Sequence, residues 1–162
     1  MAEAPHVMIV EARYYEEIVD ELVRGAVQAL EGAGATYERF TVPGAFEIPA
    51  AIRFAIRARD SDPAGSTAGS WFDAYLALGC VIRGETSHYD YICRESARAL
   101  QDLACQHSLA LGYGILTVEN REQARVRAAV DERNKGGEAA RACLRMVELK
   151  RHFHLFPGQP GG

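Results

Sequence analysis

Residues 74 to 82, AYLALGCVI, form a nearly continuous apolar run near the middle of the chain. A strand of a parallel sheet that is covered by helices on both faces has this composition, because neither row of its side chains meets water. The run therefore predicts a central strand in a sheet that lies between two layers of helices.

Three further strands are predicted on either side of this run, and apolar residues at helical spacing follow each of them. The strands are HVMIVEA at 6–12, TYERFTV at 36–42 and LGYGILTV at 111–118. Because strand and helix alternate four times without a hairpin signal, we expect a four-stranded parallel sheet and a three-layer α/β/α domain.

Five helices are expected from the spacing of apolar residues. The first carries the positions from Ile18 to Leu30, the second runs from 47 to about 59, and the third follows the turn RGETSH. The fourth covers REQARVRAAV at 121–130, and a break at 134–137 separates it from the fifth.

Length and charge exclude several classes of protein. The chain has 162 residues, 48% of them apolar, which suits one domain over 1–162. We expect the tails at 1–5 and 156–162 to fray. The only low-complexity segment of the sequence is the loop DSDPAGSTAGS at 60–70. The net charge of -4 disfavours nucleic-acid binding. There is no apolar run of the roughly 20 residues that span a bilayer and no signal sequence, so we expect no membrane contact and a cytoplasmic protein.

The cysteines show no metal-binding or disulfide pattern. They are far apart and contain no CxxC pair: Cys80, Cys93, Cys105 and Cys143. We expect buried, reduced thiols and no metal site.

Candidate site residues lie in the turns after the strands, because ligands of open α/β sheets bind at the carboxyl ends of the strands. The turns are Arg13 to Tyr15, Pro43 to Glu47, Arg83 to His88, and Glu119 with Asn120. The third combines glycine and two hydroxyls at the start of a helix, which attracts phosphate groups. Alternatively, Thr86 or Ser87 only caps the helix, and the spacing alone leaves both interpretations open. There is no GxxxxGK[ST] motif and no complete GxGxxG motif.

His88 would lie in the first turn of that helix, where the helix dipole disfavours a positively charged ring and a neutral imidazole can accept a proton. Alternatively, His88 is an exposed residue that takes no part in catalysis. Tyr14 and Phe46 could stack on a planar ligand or pack in the core. Arg127 and Lys135 could bind phosphate, although cations on a late helix and loop are more often solvated.

Four motifs, in this order, resemble the 6,7-dimethyl-8-ribityllumazine synthase family. They are VPGAFEIPAA at 42–51, GCVIRGETSHYDYI at 79–92, GILTVENREQARVRA at 114–128 and NKGGEAA at 134–140. The resemblance covers residues 7 to about 150. It implies a flavodoxin-like fold with a four-stranded parallel sheet.

The resemblance also implies a transferase-type condensation in riboflavin biosynthesis. The family joins 5-amino-6-(D-ribitylamino)uracil to 3,4-dihydroxy-2-butanone 4-phosphate and releases phosphate and water. Neither a metal nor an organic cofactor is implied. A flavin- or lumazine-binding paralogue without synthase activity is the alternative.

Carried over to this chain, the resemblance assigns proton transfer to His88. Substrate binding falls to Tyr14, Ala45, Phe46, Glu47, Cys80, Val81, Ile82, Glu85, Thr86, Tyr113, Arg127 and Lys135. The amides of Glu85 and Thr86 would face the phosphate, while Tyr113 and Arg127 would reach the site from another subunit. The family implies a homopentamer or a pentamer-based assembly, and association with riboflavin synthase.

Overall fold

The structure is a computed structural model, which describes residues 3–62 and 71–156. The elements in chain order are β1 (His6–Ala12), α1 (Glu16–Gly32), β2 (Thr36–Val42), a short 3₁₀ helix (Ala45–Glu47), α2 (Ile48–Ser61), β3 (Ala74–Ile82), α3 (His88–His107), β4 (Ala110–Val118), α4 (Arg121–Ala128) and α5 (Lys135–His152). Most of the predicted loop at 60–70, and nearly all of the tail at 156–162, lie outside the described residues.

The four strands form one parallel sheet in the order β2-β1-β3-β4. In the register of the two inner strands, Val7 of β1 pairs with Ala74 of β3. All four strands were predicted, and β4 begins one residue earlier than expected, at Ala110. The sequence-based prediction of a parallel sheet with β3 in its interior is therefore confirmed.

Helices cover both faces of the sheet, as the composition of β3 predicted. On one face α1 and α5 pack on β1 and β3 through residues such as Val23 and Cys143, with α4 beside them. On the other face α2 and α3 bury residues such as Ile52 and Leu100. This three-layer arrangement leaves β2 and β4 as the edges of the sheet.

The predicted break at 134–137 is wrong in its extent, because α5 already begins at Lys135. Asn134 has a left-handed backbone (φ 46°), and its side chain accepts the Gly137 N–H at 3.2 Å. A Cβ atom on Gly136 would lie 2.0 Å from the carbonyl oxygen of Leu22 in α1. The glycines therefore allow α1 and α5 to approach closely instead of ending a helix.

No helix within the described residues is long and apolar enough to cross a bilayer.

Candidate active site

A cleft of about 440 Å³ lies at the carboxyl ends of β1, β2 and β3. Successive connections leave the sheet in opposite directions between β1 and β3, which opens a crevice at this point of an α/β sheet. The cleft is lined by Tyr14, Tyr15, Pro43, Gly44, Ala45, Phe46, Glu47, Cys80, Val81, Ile82, His88 and Ile92. Three of the four turns predicted from the sequence thus meet in one place.

Two aromatic side chains form exposed walls of the cleft. Tyr14 is 75% exposed and makes an edge-to-face contact with Tyr15, with ring centroids 4.9 Å apart. Phe46, in the 3₁₀ helix, is 57% exposed, so its ring does not belong to the core. Both rings offer an accessible face on which a planar ligand can stack.

The floor of the cleft is the end of β3, where Cys80, Val81 and Ile82 follow one another. Cys80 is buried, and burial raises the pKa of its thiol to about 12. The thiol therefore stays protonated at neutral pH and is a poor nucleophile. These residues can supply shape and backbone hydrogen bonds to a ligand.

His88 is the first residue of α3, and its side chain lines the cleft. The Thr86 hydroxyl accepts the His88 backbone N–H at 3.3 Å, whereas Ser87 makes no capping hydrogen bond through its side chain. Of the two hydroxyls considered in the sequence, Thr86 is therefore the one that binds the backbone at the start of α3. Glu85 and Thr86 are exposed beside the cleft and do not line it.

Arg83 anchors the turn that carries His88. Its guanidinium donates to both carboxylate oxygens of Glu119, at 3.1 and 2.9 Å, and to Asp90 at 3.4 Å. It also lies 4.3 Å from the ring centroid of Tyr89. These contacts join the turns after β3 and β4 to the first turn of α3, which begins at His88.

A second depression, of about 290 Å³, runs along the outer edge of β4 and contains Tyr113, Arg127 and Lys135. Arg127 is half-buried and donates to the Gln123 carbonyl at 3.2 Å. Among residues 3–62 and 71–156 no carboxylate lies within 4.0 Å of its guanidinium. The ammonium of Lys135, in contrast, is 2.9 Å from Glu138.

The predicted site residues therefore fall into three groups. Tyr14, Ala45, Phe46, Glu47, Cys80, Val81, Ile82 and His88 line the cleft, Glu85 and Thr86 flank it, and Tyr113, Arg127 and Lys135 lie in the second depression. Tyr15, Pro43 and Gly44 also line the cleft, from turns named in the sequence analysis, whereas Ile92 lines it without having been predicted. Ile92 could have been found from its position one helical turn after His88.

No group of three or more metal-ligating side chains lies within the described part of the chain. The lining of the cleft is instead mainly aromatic, aliphatic and backbone, with one imidazole and one carboxylate. Such a surface suits an organic ligand that is planar and has polar edges.

Comparison with known proteins identifies the family. The model of the 6,7-dimethyl-8-ribityllumazine synthase family matches residues 4–151. A 6,7-dimethyl-8-ribityllumazine synthase of Bartonella tribocorum is 54% identical over 153 residues, which cover 94% of this chain and 95% of the relative. A protein of the same name from Agrobacterium fabrum is 55% identical over 91% of this chain and 95% of its own length. The 6,7-dimethyl-8-ribityllumazine synthase 1 of Rhizobium meliloti is 56% identical over 91% and 93%.

Proposed function

The chain belongs to the 6,7-dimethyl-8-ribityllumazine synthase family, and from that premise we propose how its own residues carry out the reaction. It condenses 5-amino-6-(D-ribitylamino)uracil with 3,4-dihydroxy-2-butanone 4-phosphate to give 6,7-dimethyl-8-ribityllumazine, phosphate and water. This is the penultimate step of riboflavin biosynthesis. The steps are amine addition to a ketone, imine formation, β-elimination of phosphate and ring closure, which require positioning and proton transfer.

The pyrimidine binds in the cleft. The exposed rings of Tyr14 and Phe46 bound the space in which a flat heterocycle would lie, and the end of β3 forms its floor. Backbone groups of residues 45–47 and 80–82 bind the ring edges and the ribityl chain. A ligand held in this way costs the protein little side-chain entropy, since aromatic rings have few rotatable bonds.

His88 transfers protons between the bound intermediates. Its side chain faces the cleft from the start of α3, and its backbone is tied to Thr86. From this place the imidazole can accept the proton released in imine formation and elimination and donate one to a leaving oxygen. Cys80 cannot compete as a covalent catalyst, because burial raises the pKa of its thiol to about 12.

The phosphate of the second substrate binds between the start of α3 and an arginine. The backbone N–H groups of Glu85 and Thr86 supply donors at the positive end of the helix, with the Glu85 carboxylate turned away. Arg127 supplies the guanidinium, since no carboxylate among the described residues occupies it. Lys135 is a weaker candidate, because Glu138 already neutralises its charge.

One observation carries the proposal that copies of the chain share their sites. His88 and the two exposed rings lie in the cleft, whereas Tyr113 and Arg127 lie in a separate depression on the edge of β4. We propose that the second depression of one copy completes the cleft of its neighbour. A contact between two different surfaces of the same chain builds a ring when it closes. We propose a homopentamer or a pentamer-based assembly.

Family membership also supports two further proposals about the cell. We place the enzyme in the cytoplasm, and we propose that it associates with riboflavin synthase, which uses its product. Co-purification of the two proteins at physiological salt, compared with a control at high salt, tests this association.

Turnover tests the function directly. The purified chain is mixed with both substrates while lumazine absorbance and released phosphate are measured separately. Both signals should rise together, and His88→Ala should lower turnover with little change in substrate affinity. Binding of lumazine or flavin without either signal would favour a binding protein, and equal turnover in the variant would remove His88 from the mechanism.

Mixing two impaired variants tests the shared site, with activity measured at a butanone phosphate concentration well below the KM of Arg127→Ala. His88→Ala and Arg127→Ala are dissociated, combined in equal amounts and reassembled. If each site takes His88 from one copy and Arg127 from the next, about a quarter of the mixed sites are intact and activity returns. If each site lies within a single chain, no intact site forms, and the activity of the mixture stays at the average of its components.

A further inference from the structure

Glu11, near the end of β1, carries a carboxylate that the proposed mechanism does not use. The residue is 1% exposed, and both its oxygens accept hydrogen bonds from arginines. Arg13 donates to Oε1 at 2.9 Å, and Arg39 donates to Oε1 at 2.9 Å and to Oε2 at 2.8 Å. A charge this deeply buried is tolerated only because it is paired and hydrogen-bonded.

The two arginines on Glu11 connect it to different parts of the fold. Arg39 belongs to the edge strand β2, so its bond joins two neighbouring strands. Arg13 belongs to the turn between β1 and α1, directly before Tyr14. Its second terminal nitrogen donates to Asp20 in α1, and its backbone N–H donates to the Val42 carbonyl at 3.4 Å.

The end of this turn that leads into α1 is held by Tyr15, which packs against the core cluster containing Ile18 and Cys80 and whose ring lies 5.8 Å from the Arg121 guanidinium. Tyr15, the N-cap residue of α1, makes no capping hydrogen bond through its side chain. The Tyr14 ring is 75% exposed, so packing against the core does not hold it. The bonds of the Arg13 side chain to Glu11 and Asp20 therefore hold the part of the turn that precedes Tyr14, between the strand and the helix.

We infer that Arg13, held on the buried Glu11 carboxylate, is a positioning residue for the Tyr14 wall of the pyrimidine cleft. The inference rests on the proposed function, because it concerns the same cleft. Without the Arg13 side chain, the part of the turn that precedes Tyr14 loses its side-chain bonds to β1 and α1, and Tyr14 no longer keeps its ring parallel to a bound pyrimidine. The phosphate-binding residues, at the start of α3 and in α4, are unaffected.

Arg13→Gln and Arg39→Gln form a matched pair, because both remove a partner of Glu11. Only Arg13 belongs to a turn that lines the cleft. The dissociation constant of 5-amino-6-(D-ribitylamino)uracil is measured by calorimetry on the assembled proteins. The KM for each substrate and the melting temperature are measured beside it. Arg13→Gln should raise the dissociation constant and the KM for the pyrimidine by about tenfold, with the KM for the butanone phosphate unchanged.

Arg39→Gln should lower the melting temperature without changing pyrimidine binding. Arg13→Lys, which keeps a positive donor, should restore part of the affinity. Should Arg13→Gln fail to fold, Asp20→Ala removes the acceptor in α1 at an exposed residue and should weaken pyrimidine binding in the same direction.

Equal effects of Arg13→Gln and Arg39→Gln on pyrimidine binding would show that Glu11 only stabilises the fold, and the inference would be overturned. Unchanged binding by Arg13→Gln would overturn it as well. The proposed function is judged separately, since its failure appears as an absence of product from the unmodified chain, whatever the binding measurements show.

Discussion

Arg127 is the side chain whose removal should separate the two substrates most clearly. Its guanidinium lies half-buried in the depression beside β4 and, within the part of the chain that the structure describes, makes one hydrogen bond, to the Gln123 carbonyl. Arg125, two residues earlier in α4, is instead bound by Glu122 at 2.8 and 2.9 Å and by Glu132 at 2.8 Å. The two arginines thus lie in the same helix, but a phosphate that binds Arg125 would have to compete with carboxylates, whereas one that binds Arg127 would not.

The expected magnitude follows from the bonds that a free guanidinium can make. A hydrogen bond to a charged group contributes about 1.5–3 kcal/mol, and each 1.4 kcal/mol changes an affinity about tenfold. Loss of Arg127 should therefore raise the KM for the butanone phosphate by about ten- to a hundredfold. The pyrimidine does not contact this residue in the proposed site, so its KM should stay within about twofold.

The assay is steady-state lumazine formation, with one substrate varied while the other is saturating. Arg125→Ala is the control, because it removes exposed ion pairs that contribute about 1 kcal/mol or less and leaves Arg127 in place. It should change neither KM. An unchanged KM for the phosphate substrate in Arg127→Ala, or an equal rise in Arg125→Ala, would refute the assignment of Arg127 to phosphate binding.

Three further predictions concern stability and reactivity. Gly136→Ala places a Cβ 2.0 Å from a carbonyl oxygen of α1 and should lower the melting temperature by about 2–12 °C. Gly32→Ala is the control and should not lower the melting temperature, because its Cβ would have no atom within 4 Å. Iodoacetamide at neutral pH, followed by mass spectrometry, should modify exposed Cys105 and spare Cys80, because burial raises the pKa of the Cys80 thiol to about 12. A hydrogen bond from an arginine lowers the pKa of Glu21, so its carboxylate stabilises the fold at neutral pH. This contribution is present above the usual pKa of a glutamate and is lost as the pH falls through the lowered value, so urea unfolding of Glu21→Gln and the unmodified chain should converge in acid below that value.

The strands could be predicted from the sequence because the pattern of apolar residues in each strand depends on what covers its two faces. The run at 74–82 is apolar on both faces, and the structure buries most of it between two helical layers. The glycines at 136 and 137 suggested a break because glycine occurs in a sequence both at the ends of helices and where two helices are in close contact. Only the position of Leu22 in α1, far away in the chain, decides between them.

The cleft could be predicted in large part for a similar reason. Parallel strands end at one edge, so Tyr14, Phe46 and Cys80 had to converge once the strands were assigned. Ile92 was missed because its spacing also fits an ordinary core position. The structure shows that Ile92 both packs against the core and lines the cleft. The separation of Arg127 from His88 depends on where α4 packs, which no local pattern encodes.

The distribution of charge at the carboxyl ends of the strands supports the proposal that copies of the chain share their sites. Carboxylates hold the arginines in the turns of the cleft: Arg13 lies on Glu11, and Arg83 lies on Glu119. Arg121, at the start of α4, lies 5.8 Å from the ring centroid of Tyr15 and 3.8 Å from Glu17. An approaching phosphate would therefore meet backbone N–H groups and His88, without an unpaired guanidinium from those turns. Arg127 carries such a guanidinium in the other depression. Affinity for the phosphate-bearing substrate should consequently fall when the assembly is diluted into single chains, while the stacking surface for the pyrimidine, which one chain supplies, remains.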